Sequence, residues 1–113
     1  MSDVGGISGG GQPPHYSPED IEKYKADYAK GFKLFQESFN DHNKPNVEFH
    51  KKEQLQKVMT EALNVMNETA CVALKAGKQK DEERLTMDYE EFKNNPNGET
   101  QKKIADDLNR LSS

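Results

Sequence analysis

Apolar residues recur at steps of three and four along most of the chain, which is the spacing of one face of an α-helix. Ser17 and Pro18 suit the N-cap and the first helical position, and residues 40–46 gather turn-forming types around Pro45. The pattern therefore predicts a first helix over residues 17–40. Its apolar stripe consists of Ile21, Tyr24, Tyr28, Phe32, Phe35 and Phe39.

The second predicted helix begins at about Val47 or Lys51 and ends at Ala76, with Gly77 as its C-cap. It carries two adjacent apolar seams. The first comprises Leu55, Val58, Ala62, Val65, Thr69, Val72 and Ala76, and the second Met59, Leu63, Met66, Ala70 and Ala73. Because a helix with one neighbour needs only one stripe, two seams indicate either two neighbours in the chain or a groove for another chain.

Two further helices are predicted over residues 81–93 and 99–111, separated by turn-forming residues. No stretch alternates as a strand does. The sequence predicts an all-α fold, in which a helical hairpin of two long antiparallel helices precedes two short C-terminal helices. Residues 1–15, rich in Gly and Pro, are expected to form a flexible, disordered tail, and residues 16–113 one helical bundle domain.

Composition sets limits on partners and location. Leu, Ile, Val and Phe supply 20 of 113 residues, so the core is expected to be thin. Residues 44–80 carry net +3, from seven lysines and four glutamates, within a chain of net charge −4. This balance argues against nonspecific nucleic-acid binding. No apolar run is long enough to cross a membrane and the start lacks signal-peptide features, so we expect a cytoplasmic protein, with signal-peptide-independent export as the alternative.

The reactive residue types form no constellation typical of an enzyme. Cys71 is the single cysteine, and its neighbours in sequence predict a buried, inert side chain. His15, His42 and His50 lack the helical spacing of a zinc pair and are expected to be exposed to solvent. The sequence thus predicts no catalytic residue, no cofactor and no metal site.

Residues 85–92, Leu-Thr-Met-Asp-Tyr-Glu-Glu-Phe, resemble the exit of an EF-hand loop into its second helix. With Glu91 at the twelfth loop position, however, Lys80 and Arg84 occupy ligand positions and Leu85 replaces the usual Gly. The resemblance therefore implies, as an alternative function, a degenerate EF-hand-like regulatory protein with little or no calcium binding.

The preferred hypothesis is a non-enzymatic helical interaction protein: an adaptor, an export chaperone or a small assembly subunit. It would bind a protein partner or self-associate through the wide apolar face of the second helix, with no nucleic acid, membrane or small-molecule substrate. We expect Val65→Asp to abolish folding or association. The predicted contact residues are Leu55, Val58, Met59, Ala62, Val65, Met66 and Val72, facing Phe32, Phe35 and Phe39.

Overall fold

The computed structural model describes residues 16–112, which form four α-helices and no strand. The helices are α1 (Pro18–His42), α2 (Phe49–Ala73), α3 (Ala76–Asn94) and α4 (Gly98–Ser112). The prediction of an all-helical fold is confirmed. The predicted tail, residues 1–15, lies outside the described residues.

The start of α1 follows its sequence signals. The Ser17 hydroxyl accepts a hydrogen bond from the Asp20 backbone N–H at 3.1 Å, and Pro18 occupies the first turn. The chain then reverses through residues 43–48, where Asn46 adopts φ 64°, a left-handed conformation that Asn tolerates better than most residues. The start of α1 and the turn that follows it therefore lie where the capping and turn-forming residues predict them.

The junction between α2 and α3 differs from the prediction. α2 ends at Ala73 because Leu74 takes an extended conformation, with φ −116° and ψ 147°. Gly77 is not its C-cap, since α3 already begins at Ala76 and Gly77 lies in its first turn. The prediction that the third helix starts at residue 81 is wrong as well: α3 has 19 residues and is joined to α2 by Leu74 and Lys75 alone.

The core lies where α1, α2 and α3 meet and continues between α3 and α4. Aromatic rings connect α1 to α3: the ring centroids of Phe35 and Tyr89 are 5.4 Å apart, and those of Phe39 and Phe92 5.8 Å. The Tyr89 hydroxyl also donates to the Gln56 backbone oxygen of α2 at 2.9 Å. The fully buried side chains include Met59, Met66, Leu85 and Ile104. The two seams of α2 thus have two neighbouring helices, α1 and α3.

The described part of the chain is elongated, with extents of 58 × 25 × 22 Å. α1 packs along α2, and α4 packs on α3. Over residues 16–112, no helix is both long and apolar enough to cross a membrane.

Candidate interaction surface

An apolar depression of about 350 Å³ lies between α1 and α2, and we call it the outer groove. Its floor exists because Gly31 has no side chain: a Cβ there would lie 3.1 Å from the Ala62 backbone oxygen and 3.1 Å from Met66 Cγ. Leu34 and Val65 stand beside this floor, 46% and 40% exposed. The outer groove is lined by Asp27, Lys30, Gly31, Leu34, Glu61, Ala62 and Val65.

A second depression continues the outer groove towards the start of α1, because the two share Asp27 and Val65. Its aromatic wall is formed by Tyr16 and Tyr24, whose rings meet edge to face at 5.4 Å. Its remaining lining residues are Glu68, Thr69 and Val72. We call the two depressions together the α1–α2 strip.

The charged residues of the α1–α2 strip are mostly acidic. Asp27, Glu61 and Glu68 contribute three carboxylates, against the one ammonium group of Lys30. The strip therefore combines an apolar floor with a negative rim, the pattern that attracts an apolar segment flanked by cations.

Most of the predicted contact residues are buried inside the chain's own core. This group comprises Leu55, Met59, Ala62, Met66, Phe35 and Phe39. Val58, Val72 and Phe32 are half-buried, and Val65 alone is exposed. The structure brings Val65 and Ala62 together in the outer groove and places Val72 in the α1–α2 strip.

Sequence reasoning missed two residues that define the outer groove. Leu34 lies one position off the aromatic stripe of α1, so the periodicity did not single it out. Gly31 interrupts an otherwise strong helical pattern, and an interior helix Gly often marks a close approach of two backbones. Gly31 was therefore the one feature of the sequence that could have indicated the outer groove.

Two expectations about reactive side chains are wrong. His42 is buried rather than exposed, with its ring 5.3 Å from that of Phe92. Cys71 is exposed rather than buried, because α2 ends two residues later and α3 leaves that face open beside Met87.

A buried carboxyl connects α1 to α3. The Tyr28 hydroxyl donates to Glu82 Oε1 at 2.9 Å, and both residues are buried. Burial raises the pKa of Glu82 to about 7, although the hydrogen bond from Tyr28 opposes this shift. Burial and the neighbouring Glu82 also raise the pKa of Tyr28, so its hydroxyl stays a donor.

A second buried carboxyl, Asp107, lies where α4 packs on α3. Its Oδ1 accepts a hydrogen bond from Arg110 Nη1 at 2.9 Å. Burial and the nearby Asp88 raise the pKa of Asp107 to about 7, while Arg110 and Arg84 oppose this shift. Neither Glu82 nor Asp107 lines a depression described above. Within the described chain, no three His, Cys, Asp or Glu side chains are grouped to hold a metal ion.

The segment that resembles an EF-hand exit is part of an uninterrupted helix. Residues 80–91, which would form the twelve-residue calcium loop, all lie inside α3. An EF-hand needs a loop between two helices at this point, and residues 80–91 form no such loop.

Comparison with known proteins identified no relative: no protein-family model, no curated protein and no solved structure matches the chain. The surface chemistry of the helices is therefore the basis for inferring a function.

Proposed function

We propose that this chain is a non-enzymatic helical interaction protein that binds an amphipathic, lysine- or arginine-bearing helix of a partner protein in the α1–α2 strip. The observation that supports it is the exposure of Leu34 and Val65 on either side of Gly31. An adaptor, an export chaperone and a small assembly subunit all require such a surface. The cytoplasmic location stays a prediction.

The dimensions of the strip suit a helical ligand. From Tyr24 to Leu34, a rise of ten residue steps along α1 spans about 15 Å, or nearly three helical turns. A helix bound in a groove inserts anchors at positions i, i+3 or i+4 and i+7, which span about 10 Å and so fit within this length. The space above Gly31 accommodates one such anchor side chain.

The charges of the strip favour a basic partner over a second copy of this chain. Asp27, Glu61 and Glu68 complement cations that flank the apolar anchors of a bound helix. Self-association through the same strip would bring these carboxylates towards their own copies, and like charges across an interface are unfavourable.

The test uses a designed amphipathic peptide with leucines at the anchor positions and lysines on its flanks, labelled for fluorescence anisotropy. Val65→Asp is expected to weaken binding by at least about tenfold, because it places a carboxylate on the apolar floor. Since Val65 is 40% exposed, we expect the variant to keep its helical circular dichroism, so the effect falls on association rather than folding.

Met87→Asp is the matched control. Met87 is a large apolar residue on α3, 71% exposed and outside the α1–α2 strip, so this variant should bind the peptide as the wild type does. Equal loss of binding in both variants would contradict the proposal, as would tighter binding of a peptide with glutamate flanks. Dimerisation of the wild type that Val65→Asp abolishes would assign the strip to a second copy instead.

A further inference from the structure

Another depression, of about 490 Å³ and of different chemistry from the α1–α2 strip, lies at one end of the bundle. There α1 and α3 end and α2 and α4 begin. We call it the basic end pocket. Lysines from three separate elements line it: Lys44 from the α1–α2 turn, Lys52 from α2 and Lys93 from α3. It has no residue in common with the α1–α2 strip.

The positive charge of the basic end pocket is only weakly compensated. Within residues 16–112, no carboxylate forms an ion pair with Lys52, and Glu53 is the one carboxylate in the lining. Lys44 pairs with Asp41 at 2.9 Å in an exposed ion pair, and the half-buried Lys93 pairs with the exposed Glu90 at the longer distance of 3.6 Å. Exposed ion pairs contribute little free energy, so a bound anion can compete for both ammonium groups.

Two rings give the pocket an apolar side. Phe49 is 76% exposed in the first turn of α2, where its ring is free to stack on a ligand. His42 also lines the pocket but is buried, and its Nε2 has no hydrogen-bond partner in the described chain. Burial and the nearby Lys52 lower the pKa of His42, so the ring is neutral at pH 7.

We propose that the basic end pocket binds a small organic phosphate, with the phosphate group among Lys44, Lys52 and Lys93 and the apolar part against Phe49. A phosphate monoester carries more negative charge than a carboxylate and matches several ammonium groups at once. The volume falls in the range of ligand sites, which is about 300 to 1,000 Å³. The three lysines, rather than the volume, distinguish this site from the apolar α1–α2 strip.

Phenyl phosphate is the probe, titrated into the isotopically labelled full chain and followed by heteronuclear NMR at low salt. We expect saturable shifts confined to residues 42–56 and 93–101, with half-saturation at millimolar concentration or below. Lys52→Met should weaken binding about tenfold, and the matched variant Lys25→Met, at an exposed lysine outside the pocket, should leave it unchanged. If circular dichroism shows that Lys52→Met does not fold, the exposed Lys44 is replaced by Met for the same comparison.

Inorganic phosphate separates the role of the ring from that of the charge. It should bind more weakly than phenyl phosphate, and Phe49→Ala should remove most of that difference. Equal weakening by Lys52→Met and Lys25→Met, or no saturation at about ten millimolar probe, would overturn the site. A phosphotyrosine peptide that binds more than about tenfold tighter than phenyl phosphate would overturn its assignment to a free small molecule.

Discussion

Leu34 and Phe35 are adjacent on α1, yet their environments differ completely. Phe35 is fully buried, with its ring against Tyr89 at 5.4 Å and stacked near Phe39 at 6.4 Å. Leu34 points to the outer groove. At the scale of single residues, what an apolar side chain contributes to stability depends on the neighbour that covers it.

Substitution of these two residues should separate the core from the surface. Phe35→Ala is expected to lower the free energy of unfolding by about 3–5 kcal/mol, since it leaves a cavity among aromatic rings. Leu34→Ala should cost less than about 1 kcal/mol. Urea denaturation followed by circular dichroism measures both, and similar losses for the two variants would contradict the assignment of Leu34 to the surface.

At the scale of the elements, α1 and α2 approach each other closely at Gly31. The Ala62 backbone oxygen lies so near that any Cβ at residue 31 displaces it or Met66. A Cβ added at Gly77, in the first turn of α3, would have no neighbouring atom within 4 Å. Close packing of the two helices therefore favours Gly at residue 31, whereas no contact requires Gly at residue 77.

The two glycines should respond oppositely to substitution. Gly31→Val is expected to lower the free energy of unfolding by about 1–3 kcal/mol, because the added atoms push the helices apart. Gly77→Ala should raise it by about 0.5–1 kcal/mol, since Ala restricts the unfolded chain and suits a helix. Thermal melts of both variants provide the measurement. A Gly31→Val protein as stable as wild type would contradict the close packing of α1 and α2 at this residue.

The periodicity of the sequence predicts where the helices lie better than it predicts how they pack against one another. α1 and α4 end within two residues of prediction because caps and turn residues flank them. The periodicity does not predict the start of α3, because residues 77–80 carry no apolar side chain. This first part of α3 is stabilised instead by contacts such as the hydrogen bond that Gln79 Nε2 donates to the Leu74 backbone oxygen at 2.9 Å. The outer groove was missed because it depends on how two helices approach each other, which local spacing does not encode.

At the scale of the whole molecule, two buried carboxyls lie at the interfaces between helices. Glu82 bonds to Tyr28 across α1 and α3, and Asp107 lies between α3 and α4 beside Asp88. The pKa of each is raised to about 7 in the folded chain. Both groups therefore make the stability of the bundle depend on pH.

The sign of this coupling is fixed by the direction of the shifts. The folded chain holds the Glu82 proton up to about pH 7, whereas the unfolded chain releases it near 4.5, so stability falls as pH rises between these values. The loss from Glu82 is on the order of 3 kcal/mol, and Asp107 acts in the same direction.

Glu82→Gln should remove the Glu82 contribution, making the variant more stable than wild type at pH 8 and similar at pH 5. Glu83→Gln, at the exposed neighbouring position, is the control and should keep the wild-type slope. Urea denaturation at several pH values between 5 and 8 measures the free energy of unfolding. A wild-type curve that is flat or rises over this range would contradict the buried, protonated state of Glu82.

The connections between helices are short: residues 43–48, then Leu74 and Lys75, then residues 95–97. Each helix consequently finds a packing partner next to it in the chain, and closing such small loops costs little entropy. Proteins dominated by local contacts reach the native state at the fast end of the known scale, in roughly microseconds to milliseconds. A newly made copy of this chain would therefore bury the aromatic rings of its core almost as soon as α3 is available, leaving little time for those rings to drive aggregation.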